Sequence, residues 1–423
     1  MMPSRFRCIR CGREYEPGSV FRCECGGLLE VVHDPMGWSR SVVDSRLCPM
    51  GAPYSSGVWR YKELIHPGLA SNMIVTRPEG NTNVYQRRTV SEYAGVERLS
   101  MKHEGENPTG SFKDRGMTVA VSEAVRQGAK AVACASTGNT SASMAAYAAQ
   151  AGLQGIVFIP DGEISYGKLS QALAYGSKVV QVPGSFDDAM RIVQEVSRDL
   201  GLYLLNSINP WRVEGQKSIV FEMLHQRGWE PPDWIVVPAG NLGNTSAFGK
   251  ALSELLELGW IDRVPRIASI QAEGAAPFYK MWKSGASSLE AVKPDTVATA
   301  IKIGNPVSWE KALRVIRETD GVVDVVSDAE IMEAKAVVDA SGVGCEPASA
   351  ASVAGVKKLV SKGMIKPDED VVCVLTGNLL KDSDATIGYH TGKLKDLTPK
   401  QPNAPIRVDA GSMSASLRRI LGE

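Results

Sequence analysis

From residue 113 onward, two hydrophobic periods alternate along the chain. Short β-rich runs at 131–135, 155–159, 178–182 and 203–205 read as strands. Between them, at 140–150, 169–175 and 187–200, apolar residues fall at helical spacing. A second series follows: strand 234–238, helix 246–258, strand 267–271, helix 309–319, strand 322–326, helices 328–340 and 348–360, and strand 370–375. Such alternation implies βα units and parallel sheet, and two series imply two sheets with a cleft between them. Before residue 104 the pattern is weak. Residues 34–100 read as an irregular lead-in, with one helix expected at 54–67 around Trp59, Tyr61 and Leu64. From Gly392 on, Pro399, Pro402 and Pro405 imply a loosely attached tail with a helical turn or two at 416–421.

Composition narrows the class. The 423 residues suffice for two domains and an appendage, and 43% hydrophobic content with 41 glycines suits a well-cored α/β enzyme. Basic and acidic residues balance at 47 each, so no overall field favours nucleic acid or a membrane surface. With neither a spanning apolar run nor a signal-like start, a cytoplasmic location is expected. Cys48, Cys134, Cys345 and Cys373 are scattered and read as reduced core residues. Cys8, Cys11, Cys23 and Cys25 are clustered as C-x2-C-x11-C-x-C, beside the glycines 12, 26 and 27. Four thiolates so close could surround one tetrahedral zinc in a ribbon-like segment, although the second pair is one residue shorter than usual.

The candidate chemistry lies in loops that open helices. In Glu106-Asn107-Pro108-Thr109-Gly110-Ser111-Phe112-Lys113-Asp114-Arg115-Gly116, Pro108 blocks helix before it and Gly110 supplies left-handed backbone. Lys113 therefore sits where a tight loop becomes a helix, a candidate Schiff-base former. Ser136, Thr137, Asn139 and Thr140 lie between strand 131–135 and its helix, suited either to a carboxylate or to ordinary N-capping. Gly240, Asn241, Leu242, Gly243 and Asn244 end a strand and open a helix; the two glycines let N–H groups converge on a phosphate, and the spacing lacks the dinucleotide G-x-G-x-x-G order. Thr376 opens the turn after the last strand. Asn206, Ser207 and Arg212 offer neutral donors and a planar fork suited to a phosphate dianion, a surface salt bridge being the plainer role for Arg212.

The lysine stretch closely resembles the lysine motif of pyridoxal-phosphate (PLP) enzymes of the tryptophan-synthase-β structural class, fold-type II. Within that class the chain resembles the threonine synthases from about residue 5 to about residue 390. The segments Thr299-Ala300-Ile301-Lys302-Ile303-Gly304-Asn305-Pro306-Val307-Ser308-Trp309 and Cys345-Glu346-Pro347-Ala348-Ser349-Ala350-Ala351 carry the subfamily likeness. The resemblance implies that Lys113 anchors PLP and serves as base, and that Asn139 bonds the cofactor's phenolic oxygen. It further implies that 240–244 cup its phosphate and that the Thr376 hydroxyl faces the pyridine nitrogen. Ser136, Thr137 and Thr140 would hold the amino-acid carboxylate, and Asn206, Ser207 and Arg212 the substrate's own phosphate. Glu79-Gly80-Asn81-Thr82-Asn83-Val84 is similar to a family turn that carries proline at the position of Asn83, making Thr82 a weaker candidate for the site.

Together these readings imply an α/β enzyme of two domains with parallel-rich sheets flanked by helices: a Cys-rich ribbon at 1–33, a large PLP-binding domain at 34–104 plus 206–392, a small α/β domain at 105–205, and a tail at 393–423. The implied reaction is that of a PLP-dependent carbon–oxygen lyase, in which O-phospho-L-homoserine and water give L-threonine and phosphate. A homodimer is expected from the class, with a small phosphorylated amino acid as the substrate. The rivals are a paralogue acting on O-phosphoserine, such as cysteate synthase, a threonine dehydratase, and a non-catalytic sensor on a dead enzyme fold. The last has no need of a nucleophilic amine.

Overall fold

In a computed structural model, the structure describes residues 4–34, 38–46, 53–161, 166–183, 186–408 and 413–421; Cys48 lies outside them. Its strands are β1 (Ser4–Cys8), β2 (Glu14–Tyr15), β3 (Leu29–His33), β4 (Val84–Gln86), β5 (Arg98–His103), β6 (Ala131–Ala135), β7 (Gln154–Pro160), β8 (Lys178–Val182), β9 (Tyr203–Leu204), β10 (Trp234–Pro238), β11 (Arg266–Ala272), β12 (Val322–Val326) and β13 (Asp370–Leu375). They form a six-stranded sheet, β12-β11-β10-β13-β5-β4, a four-stranded sheet, β8-β7-β6-β9, and a small sheet, β2-β1-β3. The four-stranded sheet is parallel throughout, and the six-stranded sheet is parallel except for its edge strand β4. Parallel sheet is usually covered on both faces, which explains why β6, β7, β10, β11 and β13 are largely buried apolar runs, while the edge strand β8 is mostly exposed.

The helices that matter for the site are α1 (Lys113–Arg126), α2 (Asn139–Ala151), α3 (Tyr166–Ala174), α4 (Pro210–Gln226), α5 (Gly243–Glu257), α6 (Trp309–Glu318) and α7 (Pro347–Ser361). Helices α1 and α4 pack backbone to backbone: a Cβ on Gly116 would lie 2.6 Å from the Arg212 carbonyl oxygen, and one on Gly215 only 2.0 Å from that of Arg115. Glycine at both positions brings the lysine helix and the arginine helix together.

The lead-in corrects two sequence expectations. The stretch 54–67 is not one helix but 3-10 turns at Pro53–Ser55 and Trp59–Tyr61 followed by a short α-helix, Lys62–Ile65. Within 34–100, β4 and the start of β5 belong to the large sheet. Residues 393–408 are mostly exposed, and a helix, Met413–Leu421, follows.

The ribbon sheet is docked rather than loose. Lys311 of α6 donates to the Leu29 carbonyl at 2.7 Å, and Arg314 pairs with Glu30 at 2.9 Å. His33 Nε2 lies 3.2 Å from Glu214 of α4. Burial pushes the His33 imidazole down to about 4, so it is neutral near pH 7 and donates to that carboxylate. The Phe6 ring lies 5.9 Å from that of Trp211, the residue next to Arg212. Among the described residues, no helix is long and apolar enough to cross a membrane.

Candidate functional site

The lysine loop is held by buried polar bonds. Gly110 takes φ 84°, the left-handed turn its position requires. Asp114 accepts from the Thr109 amide at 2.7 Å and hydroxyl at 2.6 Å, and burial raises its carboxyl to about 6. Arg115 is fully buried between Glu104 at 2.6 Å and Glu222 at 2.7 Å. Asn107 donates to Glu104 and accepts from the Gly80 amide. These side chains set the loop's shape and leave Lys113 as its reactive group.

Lys113 is the first residue of α1 and is half-buried, with its amine 4.1 Å from the centre of the Phe112 ring. Burial pushes the amine down to about 7, helped by the Arg212 charge and partly offset by Glu346. An amine titrating near neutrality has a large uncharged fraction, as a nucleophile or base needs.

Backbone bonds bring the turn after β13 against this loop. Ser111 bridges to Gly377, the Phe112 amide donates to the Thr376 carbonyl at 3.0 Å, and the Asn378 amide donates to the Gly110 carbonyl at 2.9 Å. Thr376 Oγ1 lies 3.1 Å from Ser349 Oγ and 3.3 Å from the Glu346 carboxylate, which also accepts from Asn139 Nδ2 at 3.0 Å. Lys113, Asn139, Glu346 and Thr376 thus converge from four separate segments, the last two buried and the first two half-buried. Because β10 and β13 are parallel neighbours, residues 240–244 leave the sheet at the same edge as Thr376. Crevices outside the carboxyl ends of strands are where α/β folds bind ligands.

Two helix starts in this region carry no side-chain cap. Helix α2 begins after Gly138 with no capping bond, so Ser136, Thr137 and Thr140 do not act as its cap; Ser136 Oγ instead accepts from the Gly138 amide at 3.2 Å. Helix α5 begins after Leu242, which is held at φ 64°, costly for a residue with a side chain. Its first N–H groups are thereby left without a side-chain cap. Gly240 clears the backbone of Ile301, which a Cβ would approach to 3.1 Å, and Gly243 clears the Gln216 amide at the same distance. Asn241 accepts from the amides of Val307 and Ser308, anchoring the loop, while Asn244 Oδ1 and Gln216 Oε1 are buried without partners.

Arg212 is 1% exposed; its Nη1 donates to the Leu205 carbonyl at 3.0 Å, while Nε and Nη2 have no partner. Burial lowers this guanidinium to about 10. A buried fork with unpartnered donors is costly unless an anion meets it. Asn206 is engaged by backbone. Its amide clasps both backbone groups of Ala135 at 3.0 Å, holding the strand that leads into residues 136–140, while Ser207 is half-buried beside it. Thr82 donates to Glu104 at 2.8 Å within the buried ion network.

Sequence reasoning assigned no role to Glu346, Ser349 or Lys381. The Glu346-Pro347 pair stood in a family segment, but only the folded chain shows its carboxylate between Asn139 and Thr376. Orphaned donors at Arg212 and two uncapped helix starts fit a ligand with two or more anionic groups, and a depressed lysine fits an aldehyde cofactor such as PLP.

In the ribbon, the four sulfurs of Cys8, Cys11, Cys23 and Cys25 lie within 4.8 Å of one another, and all four cysteines are free. Separations of 3.5 Å for Cys8–Cys25 and Cys11–Cys23 approach the edge of about 3.8 Å expected for a tetrahedral zinc–thiolate site. The short second knuckle closes because Gly27 has no side chain; a Cβ there would lie 2.7 Å from the Cys8 sulfur.

A family profile described as pyridoxal-phosphate dependent enzyme matches residues 75–377. A threonine synthase of Methanocaldococcus jannaschii is 47% identical over 384 residues, covering 90% of this chain and 94% of its own. Threonine synthase 2, chloroplastic, of Arabidopsis thaliana is 38% identical, covering 95% of this chain and 81% of its own. Among solved structures, the processed form of threonine deaminase isoform 2 from Solanum lycopersicum superimposes with a TM-score of 0.63 at 20% identity, covering 84% of this chain and 95% of that one, a likeness of fold.

Proposed function

The chain belongs to the threonine synthase family of pyridoxal-phosphate dependent enzymes, and from that premise we propose that it converts O-phospho-L-homoserine and water to L-threonine and phosphate. The observation that carries this reading is Arg212, a buried guanidinium with two unpartnered donor positions whose charge is felt by the lysine amine. An enzyme for an unphosphorylated hydroxy amino acid would have no dianion to offset that cost.

In this reading, Lys113 anchors PLP, the uncapped start of α5 with residues 240–244 holds its phosphate, and Asn139 and Thr376 orient its ring. When bound, that group supplies an electron sink for the substrate's carbanion. Ser136, Thr137 and Thr140, with the N–H groups at the start of α2, hold the substrate carboxylate. The neutral Lys113 amine accepts the α-proton at Nζ, which its depressed basicity permits near pH 7. Arg212 and Ser207 grip the substrate phosphate as a β-proton is lost and the Cγ–O bond breaks; the leaving dianion gains charge where the unpartnered donors point. A proton then returns to Cγ, a water oxygen bonds to Cβ as its proton passes to the released phosphate, and Lys113 Nζ gives a proton back to Cα. Asn206 keeps the strand end that presents Ser136 and Thr137 in register. The four ribbon cysteines hold one structural zinc, remote in sequence from the groups this chemistry uses.

The test is steady-state kinetics with O-phosphohomoserine, O-phosphoserine plus sulfite, and threonine, following phosphate and amino-acid products. Threonine and phosphate released one for one from O-phosphohomoserine are expected. Preference for O-phosphoserine with sulfite would make the chain a cysteate-forming paralogue, and deamination of threonine without phosphate release would make it a dehydratase.

A further inference from the structure

Glu346 is 3% exposed and carries a carboxylate that none of the proposed chemistry uses. It is tightly held: its amide donates to the Gly377 carbonyl at 3.1 Å, and a Cβ on Gly377 would lie 2.4 Å from its carboxyl carbon. The carboxylate accepts from Asn139 Nδ2 at 3.0 and 3.3 Å and from Thr376 Oγ1 at 3.3 Å. The charges of Lys381, from the turn after β13, and of Lys113, from α1, act on it. Arg212 of α4 faces Lys113 in turn, and Asp114 faces Lys381.

An ionised carboxylate only accepts hydrogen bonds. While charged, it obliges Asn139 to present its NH2 group rather than its oxygen, and it competes for the single proton of the Thr376 hydroxyl. Once protonated, it releases that hydroxyl to donate elsewhere. We propose that Glu346 is a positioning residue of the lysine site, whose charge sets the hydrogen-bonding sense of Asn139 and Thr376 and supports the protonated form of Lys113. The proposal rests on the reading of this cleft as the PLP site, because Asn139 and Thr376 are the groups expected to meet the ring. Burial raises the Glu346 carboxyl, so its two charge states lie closer to working pH than for an exposed glutamate.

The experiment compares the parent with Glu346→Gln and Glu346→Asp. In cofactor-stripped protein, acetylation of Lys113 by acetic anhydride is followed against pH by peptide mapping. Loss of the carboxylate should move the Lys113 midpoint down by about one unit in Glu346→Gln, as for removal of a nearby opposite charge. Glu346→Asp, which keeps the charge, should stay nearer the parent. In PLP-loaded protein, the pH dependence of the visible absorbance should move in Glu346→Gln and not in Glu346→Asp. Superimposed profiles for the parent and Glu346→Gln overturn the proposal, as do equal shifts in both variants. If the Gln variant does not fold, Gly377→Ala, which pushes the carboxyl aside, should lower the midpoint likewise, and no shift there overturns the proposal. Failure of the parent itself to take up PLP at Lys113 would overturn the underlying reading of the cleft, a result distinct from an unchanged lysine midpoint.

Discussion

Replacing Arg212 with methionine should move stability and activity in opposite directions. The guanidinium spends Nη1 on the Leu205 carbonyl and leaves Nε and Nη2 buried without partners. Each unpartnered buried donor costs about 1–3 kcal/mol. A side chain of similar length and no charge removes that cost, so ligand-free Arg212→Met should be at least as stable as the parent. With the phosphorylated substrate bound, the same donors are satisfied. Hydrogen bonds to charged groups contribute about 1.5–3 kcal/mol each, so losing two costs about 3–6 kcal/mol, or roughly two to four orders of magnitude in kcat/KM. Arg212→Lys should recover only part of this, because a point charge does not reproduce the fork. The charge of Arg212 also holds Lys113 down, so the acid limb of activity should move to higher pH in Arg212→Met. The assay is kcat/KM on O-phosphohomoserine, with kcat followed against pH for the acid limb, paired with thermal melts with and without inorganic phosphate. Phosphate should raise the Tm of the parent and not of the variant. A variant within fivefold of the parent in kcat/KM, or one clearly less stable without ligand, would refute the reasoning.

Lys113→Ala should abolish turnover and covalent PLP attachment while the fold persists; borohydride treatment and peptide mapping check this, and label on another lysine contradicts the assignment. Since the Lys113 amine lies at about 7 and acts when neutral, kcat of the parent, which reports groups free in the substrate complex, should rise with pH through about 7 and level off above it, measured as a pH–rate profile. Serine at Cys8, Cys11, Cys23 and Cys25 should remove about one zinc per chain by metal analysis and lower the Tm more than kcat, because these residues carry no proposed reacting group. Gly215→Ala should destabilise by about 1–3 kcal/mol or more in denaturant unfolding, because its Cβ would fall 2.0 Å from the Arg115 carbonyl oxygen and push α1 off α4.

The alternation of apolar runs determined most of the parallel strands by itself, β5 excepted. Predicted strands 131–135, 178–182, 234–238, 322–326 and 370–375 coincide with β6, β8, β10, β12 and β13. A strand buried on both faces needs little beyond its own apolar residues, so its signal is local. The turn at Gly110 and the start of α1 at Lys113 were legible for a similar reason: proline and glycine constrain the backbone wherever they stand.

What escaped the sequence are elements whose polar residues are buried against distant partners. Strand β5 contains Lys102, which is fully buried because Glu222, Gln226 and the Thr82 carbonyl surround its ammonium at 2.6–2.8 Å. Helix α4 buries Arg212, Glu214, Lys217 and Glu222 along with its apolar residues, so it shows no single apolar stripe. Glu346 acquires its role only where α7, the turn after β13 and the start of α2 converge. A charged side chain in a sequence looks like surface until the partner that neutralises it is brought beside it. Tertiary structure alone does that, and for this reason it decided which partners the buried polar residues have, among them the Ala135 backbone for Asn206 and Glu104 for Thr82.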